Sequence, residues 1–206
     1  MFKYFLYKLV VLFVRSVSRS FCMSAATVSG NIYYFFSRKS KCAVRSNLAR
    51  VLGMSASSPE VIRASRRTFK NFAKYLGDFF IGGAAPVEEI RSFVRVRGLE
   101  NVAKALERGK GAILLSAHLG NWELGGMMIA ASGYPVTAVA LAHAQARVNE
   151  LFNAQRLAKG MNVVPVDSAA LRACFKALRR NECVAMLADR DTTAAGVEER
   201  FFGERA

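Results

Sequence analysis

The chain has 206 residues, 52% of them hydrophobic and 22% charged, with a net charge of +15. That length is enough for a domain with a sizeable core, and the composition excludes a disordered or low-complexity chain. The charge calls for an anionic partner: nucleic acid, an acidic membrane surface or an acidic protein.

Residues 1–54 read as helical. No Asp or Glu precedes Glu60, while Lys3, Lys8, Arg15, Arg19, Arg38, Lys39, Lys41, Arg45 and Arg50 all lie before it. These cations alternate with aromatic and aliphatic residues, as in "MFKYFLYKLVVLFVRSVSRSF" and "NIYYFFSRKSK". A nucleic-acid tail is basic and polar; this segment is basic and apolar, which suits an anionic bilayer. Arg15 and Arg19 interrupt the run that a secretory signal needs. The uncharged stretch 20–37 holds small polar residues and Gly30, so it predicts an interfacial or shallow anchor instead of a spanning helix.

"SASSPE", Ser55 to Glu60, reads as a turn opening a helix, with Pro59 at a first helical position. Val61 to Phe80 then shows apolar residues at helical spacing. Arg63, Arg66, Arg67, Lys70 and Lys74 lie on its other face, which is either a solvated face or one for a membrane or an acidic partner. "GGAAP", Gly82 to Pro86, is expected to break this helix.

After Gly98 the texture changes to alternating helices and short apolar strands. The strands are "GAILLSAH", "PVTAVAL", "MNVVPV" and "ECVAMLAD", with helices between them, one given Ser168 as its N-cap. This predicts an α/β fold: a mostly parallel central sheet flanked by helices, with a helical, membrane-facing N-terminal region. The expected organisation is a basic apolar region over 1–54 and an α/β domain over 55–206. In such sheets sites gather at the carboxyl ends of strands. Those ends carry His118, the stretch Leu141 to His143, Asp167 and Asp189.

His118 ends a strand and Glu123 opens the next helix, where the helix dipole favours an ionised carboxylate. A carboxylate on one ring nitrogen would fix the tautomer and leave the other to accept a proton. The alternative is an ordinary structural histidine. His143 is the only other histidine, and neither H-E-x-x-H nor G-x-S-x-G is present, which argues against a zinc hydrolase and a serine hydrolase. No phosphate-binding glycine pattern appears, and Gly125-Gly126 reads as allowing close packing. Cys22, Cys42, Cys174 and Cys183 show no C-x-x-C and read as free thiols. Asp189, Arg190 and Asp191 form a polar loop after the last strand, and Arg156 reads equally well as a surface residue.

"AHLGNWELGG" resembles the His-x4-Asp/Glu motif of the late lipid A acyltransferases, a family that includes phosphatidylinositol mannoside acyltransferases. "R-x3-G" at Arg156 to Gly160, "ADRD" with "GVEERFFGERA", and "RSNLARVLG" are similar to its other blocks. The resemblance implies transfer of a fatty acyl group from an acyl carrier protein or acyl-CoA thioester to a hydroxyl of a lipid A precursor or related glycolipid. It implies His118 as catalytic base and Glu123 as its carboxylate partner. Arg156, Asp189 and Asp191 would bind substrate, Arg156 through an anionic headgroup. No metal, cofactor or nucleic acid is implied, and the location is the cytoplasmic face of the bacterial inner membrane, at an anionic surface. Leu124, Met127, Met128 and Ile129 read as core first and as acyl-groove lining second. Family members continue beyond the Phe-Phe-Gly block, so the end at Ala206 predicts a C-terminally truncated domain. The competing expectation is a catalytically incomplete lipid-binding relative.

Overall fold

The structure, a computed structural model, describes residues 2–190 and 198–205. These residues form two compact units, one of 2–17 with 78–190 and one of 18–77 with 198–205. The boundary expected at residue 54 lies inside the second unit.

The first unit is built on four parallel strands: β1 (Ala112–Ser116), β2 (Val136–Ala140), β3 (Met161–Pro165) and β4 (Cys183–Leu187). Their order is β1-β4-β2-β3, so the last strand enters between the first two. The α/β alternation expected from the sequence is therefore present, with each strand within the apolar run that predicted it.

Helix α1 (Phe2–Ser16) belongs to this unit. It is seated by Tyr7, whose ring lies 5.9 Å from Phe80 and 5.2 Å from Phe152. Val11 and Val14 are buried, while Phe5, Leu6, Leu9 and Leu12 remain exposed. No helix among the described residues is long and apolar enough to cross a membrane.

The helix does end within "GGAAP", at Ala84, but the glycines are not what stops it. Helix α4 (Pro59–Ala84) runs straight through Gly82 and Gly83. A Cβ on Gly82 would stand 2.6 Å from Leu124 Cδ1, and one on Gly83 would stand 2.6 Å from Gln155 Cβ. The glycine pair is a close-approach surface rather than a helix stop, and the helix ends only before Pro86.

Helices α5 (Val87–Phe93) and α6 (Leu99–Leu106) lead into the sheet. Helices α7 (Trp122–Ala131) and α8 (Ala146–Leu157) follow β1 and β2, and α9 (Ser168–Arg179) follows β3. The N-cap of α9 is Asp167, not Ser168: its carboxylate accepts from the backbone N–H of Ala169 at 2.8 Å and Ala170 at 3.0 Å. An ionised cap is favoured at this positive helix end. α9 covers its side of the sheet by packing Cys174 and Ala177 on Val184, with Val139 and Met186 alongside.

The second unit joins α2 (Arg19–Phe36), α3 (Arg38–Leu52) and the first part of α4. A two-stranded hairpin, β5 (Arg200–Phe201) with β6 (Glu204–Arg205), belongs to it. Gly30 brings α2 onto α4, since a Cβ there would lie 2.9 Å from both Lys70 Cα and the Phe69 carbonyl oxygen. Ring contacts of Tyr33 and Tyr34 with Phe69, at 5.4 and 5.2 Å, complete that packing.

Candidate active site

The register of the sheet places the histidine. β1 pairs with β4 so that Ser116 stands opposite Leu187. Two residues further along each strand direction are His118 and Asp189, so parallel pairing delivers them side by side. The His118 Nδ1 lies 2.9 Å from Asp189 Oδ1, and the His118 backbone N–H donates to Asp189 Oδ2 at 2.9 Å. These two bonds hold the Asp189 carboxyl below its ordinary value of 3.8, the ring bond contributing more than the backbone bond. An ionised acceptor at Nδ1 requires the proton there, which leaves Nε2 as the basic nitrogen. Both side chains remain partly open to solvent.

The pairing of His118 with Glu123 that the sequence suggested is not the arrangement observed. Glu123 does sit in the first turn of α7, but Arg156 of α8 grips it as a fork. Arg156 Nε donates to Glu123 Oε2 at 2.9 Å, and Arg156 Nη2 donates to Glu123 Oε1. The side chains of Arg156 and Glu123 are only 9% and 11% exposed. Arg156 Nη1 donates to Asn153 Oδ1 at 2.8 Å, and its guanidinium lies 5.7 Å from the Phe79 ring centroid. Arg156 is thus a buried, charge-compensated residue and not the free surface cation that was one sequence reading.

The turn between β1 and α7 is shaped by Gly120, at φ 64°, and by Asn121. The Asn121 side chain accepts from the Leu124 backbone N–H at 3.1 Å, capping α7. Trp122 then stands edge-on to His118, with ring centroids 4.7 Å apart. His143, past β2, packs its ring 4.5 Å from Phe152. Burial and then the Arg156 charge hold His143 below its ordinary value of 6.5, against the pull of Glu123. Asp191 lies outside the described residues.

A cavity of about 220 Å³ opens between α7 and the sheet. Its floor has a sequence cause. Leu114, Ala185 and Ala138 share one row of the sheet, and Ala140 follows on the same face. Alanines there leave space that valine or leucine would fill. Above them α7 presents Trp122, Gly125, Gly126 and Ile129, spaced as one helical face. The two glycines differ. A Cβ on Gly126 would stand 2.9 Å from Met161 Sδ, whereas one on Gly125 would meet nothing within 4 Å. Gly126 permits close packing, as the sequence suggested; Gly125 widens the groove. Leu124, Met127 and Met128 are core, and Ile129 lines the cavity. Glu123 and Arg156 supply polar groups to its wall.

Asp189 was legible as a substrate-binding candidate, but its bond to His118 was not. The signal that could have found it is the equal offset of both residues beyond their strands, once strand order is known. Asn153 carried no comparable signal.

The family described as bacterial lipid A biosynthesis acyltransferase matches residues 1–206. The chain is 32% identical over 170 residues to a phosphatidylinositol mannoside acyltransferase of Mycobacterium tuberculosis (strain CDC 1551 / Oshkosh), covering 78% of this chain and 52% of that protein. It is 29% identical over 166 residues to the phosphatidylinositol mannoside acyltransferase of Mycolicibacterium smegmatis, covering 78% of this chain and 54% of that one. The chain spans about half the length of the curated relatives it matches.

Proposed function

Because the chain belongs to the bacterial lipid A biosynthesis acyltransferase family, we propose that it moves a fatty acyl group from a thioester to a hydroxyl of a membrane glycolipid. The donor is an acyl carrier protein or acyl-CoA thioester. The acceptor is a lipid A precursor or a related glycolipid such as a phosphatidylinositol mannoside. The observation that carries this reading is the His118–Asp189 pair next to an apolar groove.

His118 Nε2 takes the proton of the acceptor hydroxyl while Asp189 holds Nδ1 and stabilises the imidazolium that forms. The hydroxyl oxygen bonds to the thioester carbonyl carbon, the C–S bond breaks, and the imidazolium returns its proton to the leaving thiolate. The acyl chain lies in the groove floored by Ala138, Ala140 and Ala185. Each buried methylene contributes about 0.8 kcal/mol, so the chain supplies much of the donor affinity. Glu123 and Arg156 act as a neutral, hydrogen-bonded pair that holds α7 and α8 in register at the groove.

The exposed apolar residues of α1 and α2, with the +15 charge, support work at an anionic membrane surface, on the cytoplasmic face of the inner membrane. The same charge favours encounter with an acidic carrier protein. The test is acyl transfer from labelled carrier-protein and CoA thioesters to a panel of lipid A precursor, lysophospholipid and phosphatidylinositol mannoside. His118-dependent transfer to one glycolipid supports the reading. Transfer by well-folded protein that survives His118→Ala, or no transfer to any acceptor, refutes it.

A further inference from the structure

Tyr34 near the end of α2 is buried, yet it is surrounded by cations. Lys41 Nζ, Arg45 Cζ and Arg66 Cζ lie 5.4, 5.7 and 5.6 Å from its ring centroid. Arg45 Nε donates to the Tyr34 hydroxyl at 3.2 Å, and Ser65 Oγ lies 3.2 Å from the same oxygen. Burial pushes the phenol up, but the bonds from Ser65 and Arg45 and the Arg45 charge outweigh it and hold it below its ordinary value of 10.0.

Residues 18–77 hold eleven Lys and Arg against one acid, Glu60. Glu60 is bound to Arg63, at 2.6 Å, not to the cluster. Among the described residues, no carboxylate pairs with Lys41, Arg45 or Arg66. The ring offsets part of the repulsion between them. Three cations converging, with no paired carboxylate among the described residues, are suited to an anion with three or more acceptor oxygens, which a carboxylate lacks and a phosphate has.

The neighbours say where that phosphate comes from. Phe35 and Phe36, next in sequence, are 74% and 78% exposed, and Ile32 is exposed one turn earlier. Two bare aromatic rings next in sequence to the residue that gathers the cations match the boundary between headgroups and acyl chains. We propose that Lys41, Arg45 and Arg66, gathered on Tyr34, form a binding site for the phosphate of an anionic membrane lipid. The proposal rests on the membrane-facing part of the reading above and is independent of the acyl-transfer chemistry.

The experiment is sedimentation of the full chain with phosphatidylcholine vesicles. One set carries phosphatidic acid and a second carries cholesteryl hemisuccinate at equal surface charge. Two double variants are compared, Arg45→Gln/Arg66→Gln in the cluster and Arg67→Gln/Lys74→Gln outside it, with Arg66→Gln alone as a variant at an exposed position. Charge alone predicts that each double loses about 30-fold, from about 1 kcal/mol per cation near the surface. The site predicts preference for phosphatidic acid over hemisuccinate, a loss in the cluster double at least tenfold beyond the other double, and a matching trend in Arg66→Gln. Equal losses in the two doubles, or equal binding to both vesicles, would overturn it. Release from phosphatidic acid vesicles by millimolar inorganic phosphate at constant ionic strength would overturn the lipid as its source.

Discussion

Both carboxylate oxygens of Asp189 are bound by His118, one by the imidazole Nδ1 and one by the backbone N–H. The second bond fixes the carboxylate to the same residue whose ring it orients, so the ring direction is set from two points. Asp189→Asn keeps the shape but removes the charge that stabilises an imidazolium. The expected outcome is a fall in kcat of about 10²–10⁴-fold with little change in KM and an unchanged melting temperature. A steady-state comparison with His118→Ala checks it, and a variant with wild-type kcat would remove Asp189 from the mechanism.

The buried Glu123–Arg156 pair makes an opposite kind of prediction. Arg156→Met leaves a carboxylate buried without its partner, at a cost of about 3–5 kcal/mol. Replacing both, as Glu123→Gln with Arg156→Met, should recover most of that stability in urea unfolding. If the pair positions α7 and α8 as described, activity recovers less than stability does. Parallel recovery of both would assign the pair to folding alone.

Gly125 lines the groove, and a Cβ there would meet nothing within 4 Å. Phe in its place has room for its Cβ and projects over the alanine floor. Long acyl donors should lose about four-fold in kcat/KM per methylene excluded, while short donors are spared. Donors graded by chain length measure this, and a uniform loss at all lengths would place the acyl chain elsewhere.

Gly30→Ala tests the second unit. Its Cβ would press on backbone atoms of Lys70 and Phe69, which cannot turn aside. A destabilisation of about 1–3 kcal/mol is expected, read by thermal unfolding. A neutral result would mean that α2 and α4 pack less closely than described.

His143 gives a pH dependence. The folded protein disfavours its charged form, so its value is depressed from 6.5. Above 6.5 the ring is neutral in both folded and unfolded chains and has no effect. As pH falls from 6.5 towards the lowered folded value, the unfolded chain binds the proton first, and stability declines before levelling off. Unfolding midpoints between about pH 8 and about pH 5 should therefore fall further for wild type than for His143→Gln. Coincident pH profiles would contradict the placement of this ring.

Much of the fold was legible because buried strands and amphipathic helices alternate with clear punctuation at Gly109, Gly133 and Gly160. The misses share a cause. Gly82 and Gly83 look like a stop because the residues that fill the space above them, Leu124 and Gln155, are 42 and 72 positions away. Glu123 looks like the partner of His118 because it is near in sequence. Asp189 is nearer in space because β4 lies against β1, and strand order is not written in local pattern. The groove was hidden for the same reason: Ala138 and Ala185 look unremarkable until the sheet aligns them in one row.

Inserting β4 between β1 and β2 also gives the site a timetable. The histidine is made early and its carboxylate more than seventy residues later, and only β4, seated between β1 and β2, brings them together. On the proposed mechanism, a partly synthesised or partly unfolded chain holds a histidine without its orienting anion and lacks the competent base. On that mechanism, reactivity towards a thioester is thereby withheld until β4 is seated between β1 and β2.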